Sequence, residues 1–161
     1  MKKNIKPITI YETKKCDTRA IEKNFTDEDV KSDTLKHRNA VINGCDFIAD
    51  KLREQSFNHD YTKLDKYLAV FTRALKTGFK NDEFKKINWW NIHKTKERHH
   101  LNDNCPDDVN IIDVIEMIVD CTMAGLARTG EVYDITIKPE ILKKAVDNTV
   151  KLLIDNTKVL K

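Results

Sequence analysis

Apolar positions recur at helical spacing along most of the chain, and two short stretches alternate instead. The first helical stripe follows the acidic start Thr26–Asp29, whose side chains suit a helix N-terminus, and predicts a helix near 28–54. The apolar members of this stripe are Leu35, Val41, Ile42, Phe47, Ile48 and Leu52. His37 lies four residues before Val41, so its side chain is predicted on or beside the buried face.

The middle of the chain predicts two shorter helices. Residues 64–79 have an amphipathic pattern that Gly78 ends. A second helix can start at Asn81, because the two acidic residues after it would lie in the first turn, where the helix dipole favours negative charge. This second helix leads into the histidine-rich sequence WWNIHKTKERHH at 89–100.

The last third of the chain predicts two longer helices. Pro106 and the two aspartates after it open an apolar helix over 108–128, which Gly130 terminates. A final amphipathic helix covers Glu140–Asn156, within a C-terminal segment 139–157. Helices therefore account for most of the chain.

Two stretches alternate like short strands: PITIYET, within the lysine-rich N-terminal segment 1–16, and residues 133–137 of VYDITIKP. They can pair with each other as a minor two-stranded ribbon. A chain of this length has room for one domain with a real core and not for two comfortable ones. We therefore predict a single all-α domain over 1–161, a compact helical bundle with that ribbon.

Composition and charge narrow the classes of protein. With 40% hydrophobic and 34% charged residues, the chain of 161 residues is neither disordered nor membrane-like. No stretch has the apolar length of a signal-peptide core or a membrane span, so we expect a cytoplasmic protein without a membrane partner. Four cysteines without a C-x-x-C pair fit reduced thiols. The net charge of +3 says little about nucleic acid.

Between Ile111 and Ala127, the apolar helix carries three carboxylates among side chains that are otherwise apolar or small, apart from Thr122. Asp113 and Asp120 are seven residues apart and Glu116 lies one turn before Asp120, so one face is acidic. Because burying an unpaired carboxylate is costly, we expect these groups to be paired, hydrogen-bonded or bound to metal. The alternative is a face that is solvated, or paired with Lys or Arg of a neighbouring helix.

The candidate imidazole ligands and acid–base groups are His37, His59, His93, His99 and His100. Each of them alone is more often a structural or surface histidine. In an unbroken helix through WWNIHKTKERHH, His93, Glu97 and His100 share a face. With a break near Arg98, His99 serves in place of His100. The tryptophan pair is either part of a helix-packing site or, among its lysines, a nucleic-acid stacking surface.

The sequence FNHDYTKL places His59 and Asp60 side by side. On a helix their side chains would point about 100° apart, so one ion contacts both only if further ligands arrive from neighbouring helices. His37 on the preceding helix and Asp120 on the later one are suited to that role. Imidazoles and carboxylates together suit manganese, iron, cobalt, nickel, zinc or magnesium rather than calcium.

Motifs in this order resemble those of the HD-domain superfamily of metal-dependent phosphohydrolases: KHRNAV, HDYTKL, WWNIHKTKERHH and EMIVD. More narrowly, they resemble short uncharacterised phage and bacterial proteins with the pattern H…HDxSK…H-x5-HH…EMxxD. The resemblance covers roughly residues 35–125. It implies an HD-like helical bundle in the cytoplasm of a bacterium or a phage-infected host. Thr62 stands where the narrower family has serine, and it keeps the hydroxyl.

The resemblance implies one set of ligands for a divalent metal ion: His37, His59, Asp60 and Asp120. Asp60 can then bridge to a second ion. His93 and either His99 or His100 match the histidines that some members use for a second metal or for the substrate phosphate. The gap between these histidines is much shorter here than in many two-metal members, which leaves both one and two ions per chain open.

The activity implied is hydrolysis of a nucleotide or other small phosphate ester by metal-activated water. With Asp60 on the metal, Lys63 is the first candidate to contact phosphate and Arg38 the second, although both are otherwise ordinary surface charges. A protonated His93, or another histidine of the same sequence, would act as general acid. The alternatives are a non-catalytic metal- or nucleotide-binding protein, such as a phage regulator or inhibitor, and a nucleic-acid-associated protein using the basic segment 80–98.

Overall fold

The protein is mainly helical, with one small sheet. The structure, a computed structural model, describes residues 5–13, 16, 24–78 and 88–161. These residues form five helices: α1 Asp27–Phe57, α2 Leu68–Thr77, α3 Trp89–Lys96, α4 Ile111–Thr129 and α5 Pro139–Asp155. Two strands, β1 Ile8–Tyr11 and β2 Thr157–Leu160, pair in parallel. The predicted all-α fold with a minor ribbon is confirmed.

The helix ends follow their capping residues. At the start of α1, the Asp29 N–H donates to Thr26 Oγ1 at 3.2 Å and the Thr26 N–H donates to Asp29 Oδ2 at 2.9 Å. Gly78 after α2 and Gly130 after α4 have φ angles of 75° and 77°, which glycine adopts without strain. These ends were predicted. The α1 helix runs one turn beyond the predicted end, to Phe57.

The start of α4 corrects the prediction that the apolar helix opens at 108. Asn110 caps the helix instead, because its side chain accepts from the Ile112 N–H at 2.9 Å. In return, the Asn110 N–H donates to Asp113 Oδ2 at 2.9 Å. This reciprocal pair places the first helical residue at Ile111.

The helix through the histidine-rich sequence breaks near Arg98, which was the second of the two alternatives for this segment. α3 ends at Lys96, and Glu97 has extended backbone angles of −92° and 117°. The predicted helix start at Asn81 lies outside the described residues. Among the helices of the described ranges, none is both long and apolar enough to span a bilayer.

The second strand of the ribbon was predicted wrongly. β1 pairs with β2 in the register Ile8↔Thr157 to Tyr11↔Leu160, and residues 133–137 form no strand. Their backbone groups have other partners: the Tyr133 N–H donates to the Cys121 carbonyl at 3.4 Å. The Thr136 carbonyl accepts from the Asn102 side chain at 2.7 Å. Alternation alone therefore did not identify the strand that pairs.

The chain divides into two compact units, Met1–Glu54 with Val150–Lys161, and Gln55–Thr149. The single domain stays a prediction. The first unit holds both strands and most of α1. In the second unit, a buried apolar cluster joins the loop before α4 to α4 and α5: Leu101, Val109, Val114, Met117, Ile141 and Ala145. This core supports the N-terminal half of α4, from which two of the acidic side chains project.

Candidate metal centre

The turn after α1 sets the direction of the Asp60 carboxylate. Asp60 has φ 57° and ψ 24°, a left-handed conformation that aspartate tolerates better than most residues. A 3-10 turn, Tyr61–Lys63, follows and brings Lys63 Nζ to 2.5 Å from Asp60 Oδ2. The other oxygen, Oδ1, is buried and has no hydrogen-bond partner among the described residues.

Three imidazoles surround this carboxylate. His93 Nε2 lies 3.6 Å from Asp60 Oδ1, and His99 Nε2 lies 4.0 Å from the same oxygen. His59 Nε2 lies 3.6 Å from Asp60 Oδ2. His93 and His99 are buried, and His59 is partly exposed. The structure thus brings together side chains from the turn after α1, from α3 and from the loop that follows α3.

Two acidic residues of α4, Glu116 and Asp120, complete a polar cluster. Its other members are His59, Asp60, His93, Glu97, His99 and His100. Asp120 lies 3.4 Å from His59 Nε2 through Oδ1, and 3.9 Å from His99 Nε2 through Oδ2. Glu116 Oε1 lies 2.8 Å from His59 Nδ1, and Glu116 Oε2 accepts from Gln55 Nε2 at 2.5 Å. Since Glu116 engages Nδ1, the Nε2 atom of His59 is the one that faces Asp60 and Asp120.

Three overlapping groups in this cluster each offer three ligand atoms within 4.8 Å of one another: His93, His99 and His100; His59, Asp60 and His99; Asp60, His93 and Glu97. Three protein ligands with open positions are typical of catalytic metal sites. Asp60, His93 and His99 each belong to two groups. The arrangement therefore has the donors for one ion, or for two ions with shared ligands.

His93 and His100 are kept in the form that binds metals. Burial, followed by the nearby charge of His100, lowers the pKa of His93 to about 3. Burial, followed by the charge of His99, lowers the pKa of His100 to about 4. The two Nε2 atoms lie 2.8 Å apart. Neutral imidazoles present a nitrogen lone pair, which a protonated ring does not.

The environment of His59 raises its pKa, in contrast to that of His93 and His100. Asp120 first and Glu116 second raise the pKa of His59 to about 10, against the effect of burial. Burial acts most strongly on Glu116 and raises its pKa, but the hydrogen bonds from His59 and its other neighbours together lower it to about 2. Contact with His59 also lowers the pKa of Asp120. This end of the cluster therefore favours a positive charge between carboxylates.

Asp113, the third acid of α4, does not belong to the cluster. Its side chain is fully buried and accepts from Arg98 Nε at 2.7 Å and from Arg98 Nη2 at 2.8 Å. Gln55 Nε2 donates to the same carboxylate at 2.8 Å. Asp113 thus follows the alternative in which an acid pairs with a basic residue, whereas Glu116 and Asp120 face the histidines.

Of the two tryptophans, Trp89 packs in the core as the helix-packing interpretation predicts, and Trp90 is exposed. Trp89 is 2% exposed and packs against Phe71, with ring centroids 4.6 Å apart, and against His93 at 4.7 Å. Trp90 is 38% exposed and lies with its centroid 5.3 Å from that of His100. Trp89 therefore supports the ring of His93 from the core.

Two predicted site residues lie in the first unit. His37 and Arg38 are both exposed on α1, and the buried residues of that helix are Asp33 and Phe47. The expectation that His37 lies on or beside a buried face was therefore wrong. Its role as a metal ligand, and the role of Arg38 as a phosphate contact, stay predictions. Lys63, the other candidate phosphate contact, is at the cluster.

Thr62 and Glu97 are the site residues whose roles sequence reasoning missed. Thr62 was noted only for keeping a hydroxyl, and Glu97 only for sharing a helix face. Both are buried, and Glu97 Oε1 accepts from the Thr62 N–H at 2.9 Å and from Thr62 Oγ1 at 2.7 Å. No spacing rule links a turn residue to a residue beyond the end of a later helix, so no signal in the sequence pairs them.

Comparison with known proteins gives one match. No curated protein and no solved structure matches the chain. The resemblance to the HD-domain superfamily stays a prediction. A family model described as a family of unknown function, DUF5662, matches residues 26–158, which include every residue of the cluster. The chain therefore belongs to the DUF5662 family.

Proposed function

We propose that the cluster binds one or two divalent metal ions and that the protein is a metal-dependent phosphohydrolase of a nucleotide or other small phosphate ester. One observation carries the proposal. Asp60 Oδ1 is buried without a hydrogen-bond partner among the described residues, 3.6 Å from the Nε2 atom of His93. A buried carboxylate oxygen without compensation is costly, and a cation shared with the imidazoles would compensate it.

The donor set fits a transition-metal ion. His59, Asp60, His99 and Asp120 would hold it on one side, and His93 and His100 on the other. Imidazole with carboxylate suits manganese, iron, cobalt, nickel or zinc, and magnesium less well. When bound, such an ion lowers the pKa of its water and polarises a phosphoryl oxygen. His37 is a further ligand that the resemblance to the HD-domain superfamily implies.

The remaining residues have supporting roles in this proposal. Glu116 bonds His59 Nδ1 at 2.8 Å and so orients the opposite nitrogen towards Asp60. Lys63, held at 2.5 Å from Asp60 Oδ2, places a positive charge beside the cluster, where it would offset charge on a phosphoryl group. Arg38 is the second candidate for that contact.

Metal binding is tested first. Metal-depleted protein titrated with Mn²⁺, Co²⁺ or Zn²⁺ in a calorimeter should take up one or two ions per chain. Asp60→Asn should abolish or strongly weaken uptake, because asparagine keeps the size and tolerates the left-handed backbone but loses the charge. Asp147→Asn is the matched control, since Asp147 is exposed and pairs with Lys143 on α5. Full uptake by Asp60→Asn would exclude Asp60 as a ligand.

Activity is tested separately. Nucleoside mono-, di- and triphosphates, cyclic nucleotides and dinucleoside polyphosphates are assayed with Mn²⁺, Co²⁺ and Ni²⁺ for release of phosphate or nucleoside. We expect turnover of at least one of them, lost in Asp60→Asn and retained in Asp147→Asn. Uptake of metal without turnover of any of them would favour the non-catalytic metal- or nucleotide-binding protein.

A further inference from the structure

We propose that Thr62 and Glu97 are positioning residues that hold His93 in the tautomer with its proton on Nδ1, so that the Nε2 lone pair faces Asp60. The role of this lone pair in metal binding rests on the proposed function. The tautomer itself is a property of the metal-free protein and is measured without any metal.

The three side chains form one buried chain of hydrogen bonds. Thr62, His93 and Glu97 are 0%, 1% and 4% exposed. Thr62 Oγ1 lies 2.6 Å from His93 Nδ1 and 2.7 Å from Glu97 Oε1. Since these side chains are almost completely shielded from solvent, the protons that the three residues carry decide the direction of the two hydrogen bonds at Thr62 Oγ1.

The direction of these hydrogen bonds follows from how many protons the three side chains can donate. Glu97 Oε1 accepts the Thr62 N–H at 2.9 Å, so it acts as an acceptor, and it takes the single hydroxyl proton of Thr62 as well. Thr62 Oγ1 then has only lone pairs to offer His93. The Nδ1 atom of His93 must therefore carry the proton and donate it to Thr62.

The consequence lies at the other ring nitrogen. A neutral imidazole with its proton on Nδ1 has a lone pair on Nε2. That atom lies 3.6 Å from Asp60 Oδ1 and 2.8 Å from His100 Nε2, so in the metal-free protein it accepts the Nε2–H of His100. In the other tautomer, a proton would occupy the position where a metal shared with Asp60 takes its nitrogen ligand, and the Nδ1 lone pair would face the lone pairs of Thr62.

Trp89 holds the geometry of this chain of bonds. Its indole N–H donates to the Thr62 carbonyl at 3.1 Å, and its ring stacks on His93 at 4.7 Å with an 18° angle between the planes. One residue thus positions both the backbone that presents the hydroxyl and the plane of the imidazole. Outer groups of this kind commonly change metal affinity about 10- to 100-fold when removed.

The first measurement is the tautomer. Metal-free protein labelled with ¹⁵N at histidine is examined by long-range ¹H–¹⁵N correlation, and the His93 signals are assigned by their loss in His93→Gln. We expect a protonated Nδ1 and an unprotonated Nε2. A protonated Nε2 with a bare Nδ1 in the wild type would overturn the proposal.

The second measurement compares variants. Thr62→Val keeps the shape without the hydroxyl, so His93 should populate the Nε2-protonated form and the Kd for Co²⁺ should rise about 10- to 100-fold. Thr62→Ser should restore both readouts. Thr95→Val is the matched control, because within the described part of the chain its hydroxyl bonds only two backbone carbonyls of α3, those of Asn91 and Ile92.

Circular dichroism and Tm show whether each variant folds. If Thr62→Val does not fold, Thr62→Ala serves instead: it also lacks the hydroxyl, and should shift the tautomer and the Kd in the same direction. An unchanged His93 tautomer in a folded Thr62→Val or Thr62→Ala would overturn the proposal. Loss of the tautomer in Thr62→Val, in a protein whose wild type binds no metal, would support the positioning role and overturn the proposed function.

Discussion

Arg98 holds the buried carboxylate of Asp113 in a two-pronged contact, from Nε to Oδ1 at 2.7 Å and from Nη2 to Oδ2 at 2.8 Å. The pair raises the pKa of Arg98 further above its ordinary range. The guanidinium also donates from Nη1 to Asp108 Oδ1 at 3.0 Å. Arg98 thus connects the loop after α3, which carries Glu97 and His99, to the N-terminal end of α4.

Arg98→Lys should destabilise the protein although it keeps the charge. An ammonium group cannot make both bonds to the carboxylate, and one oxygen of the fully buried Asp113 would lose one of its two donors. We expect a loss of about 1.5 to 3 kcal/mol in the free energy of unfolding, measured by urea denaturation. Arg128→Lys in the last turn of α4 is the control, because Arg128 is exposed and the substitution keeps its charge. Equal stability of the two variants would contradict the role given to Arg98.

Two glycine variants should shift stability in opposite directions. A Cβ at Gly125 in α4 would collide with the Glu131 carbonyl oxygen and approach the Tyr133 nitrogen at 2.7 Å, both of them backbone atoms. A Cβ at Gly44 in α1 would meet no atom of the described residues within 4 Å. We expect Gly125→Ala to lower the free energy of unfolding by about 1 to 3 kcal/mol. Gly44→Ala should raise it by about 0.5 to 1 kcal/mol through helix propensity. A Gly125→Ala protein as stable as the wild type would show that residues 131–133 move aside freely.

Binding of Co²⁺ or Ni²⁺ should quench the tryptophan emission. The chain has two tryptophans, and both rings lie beside imidazoles of the cluster, Trp89 at 4.7 Å from His93 and Trp90 at 5.3 Å from His100. An open-shell ion at these histidines can accept the excitation energy, whereas closed-shell Zn²⁺ cannot do so in the same way.

The quenching should persist in part in Trp90→Phe, since Trp89 remains next to His93. Excess Zn²⁺ should reverse it by competition for the same ligands. Uptake of Co²⁺ in a calorimeter without any change of emission would place the ion away from His93 and His100.

Gln55→Glu should destabilise the protein in a pH-dependent way. Gln55 Nε2 donates to Asp113 at 2.8 Å and to Glu116 at 2.5 Å, and a glutamate there would face both carboxylates without a proton to donate. Its own pKa would be raised in the folded state, so the native protein would bind more protons than the unfolded chain near that pKa. The loss of stability should therefore be largest at neutral pH and shrink as the pH falls.

Gln55→Met separates this charge effect from the loss of hydrogen bonds. It removes the same two donated bonds without adding a carboxylate, so its destabilisation, measured by urea denaturation at several pH values, should not share that trend. Parallel pH profiles for the two variants would mean that the added charge at position 55 has no effect.

The sequence was informative where a local rule decides the structure. The caps Thr26, Gly78 and Gly130 mark helix ends through groups next to them in the chain, and the structure has those ends. Alternation of apolar residues identified β1 but not its partner, because pairing depends on which backbone groups remain free after the helices and loops have formed bonds.

The sequence likewise predicted one part of the candidate site and missed another. The motifs selected His59, Asp60 and Asp120 together with the histidines near α3, and the structure brings these side chains together. Both histidines of the His99–His100 pair reach the cluster, because the chain leaves the helix at Glu97 and no longer obeys helical spacing. The link from Glu97 through Thr62 to His93 depends on tertiary packing, which no spacing in the sequence reports.

The parallel pairing of β1 with β2 has a consequence for the order of folding. Residues 8 and 157 are partners, so nearly the whole chain forms the connection between the strands. Closing so long a loop costs considerable conformational entropy before the strands can form any hydrogen bonds with each other. We therefore expect the ribbon to form after the helices have collapsed, and to be the first part of the fold to open when the protein begins to unfold.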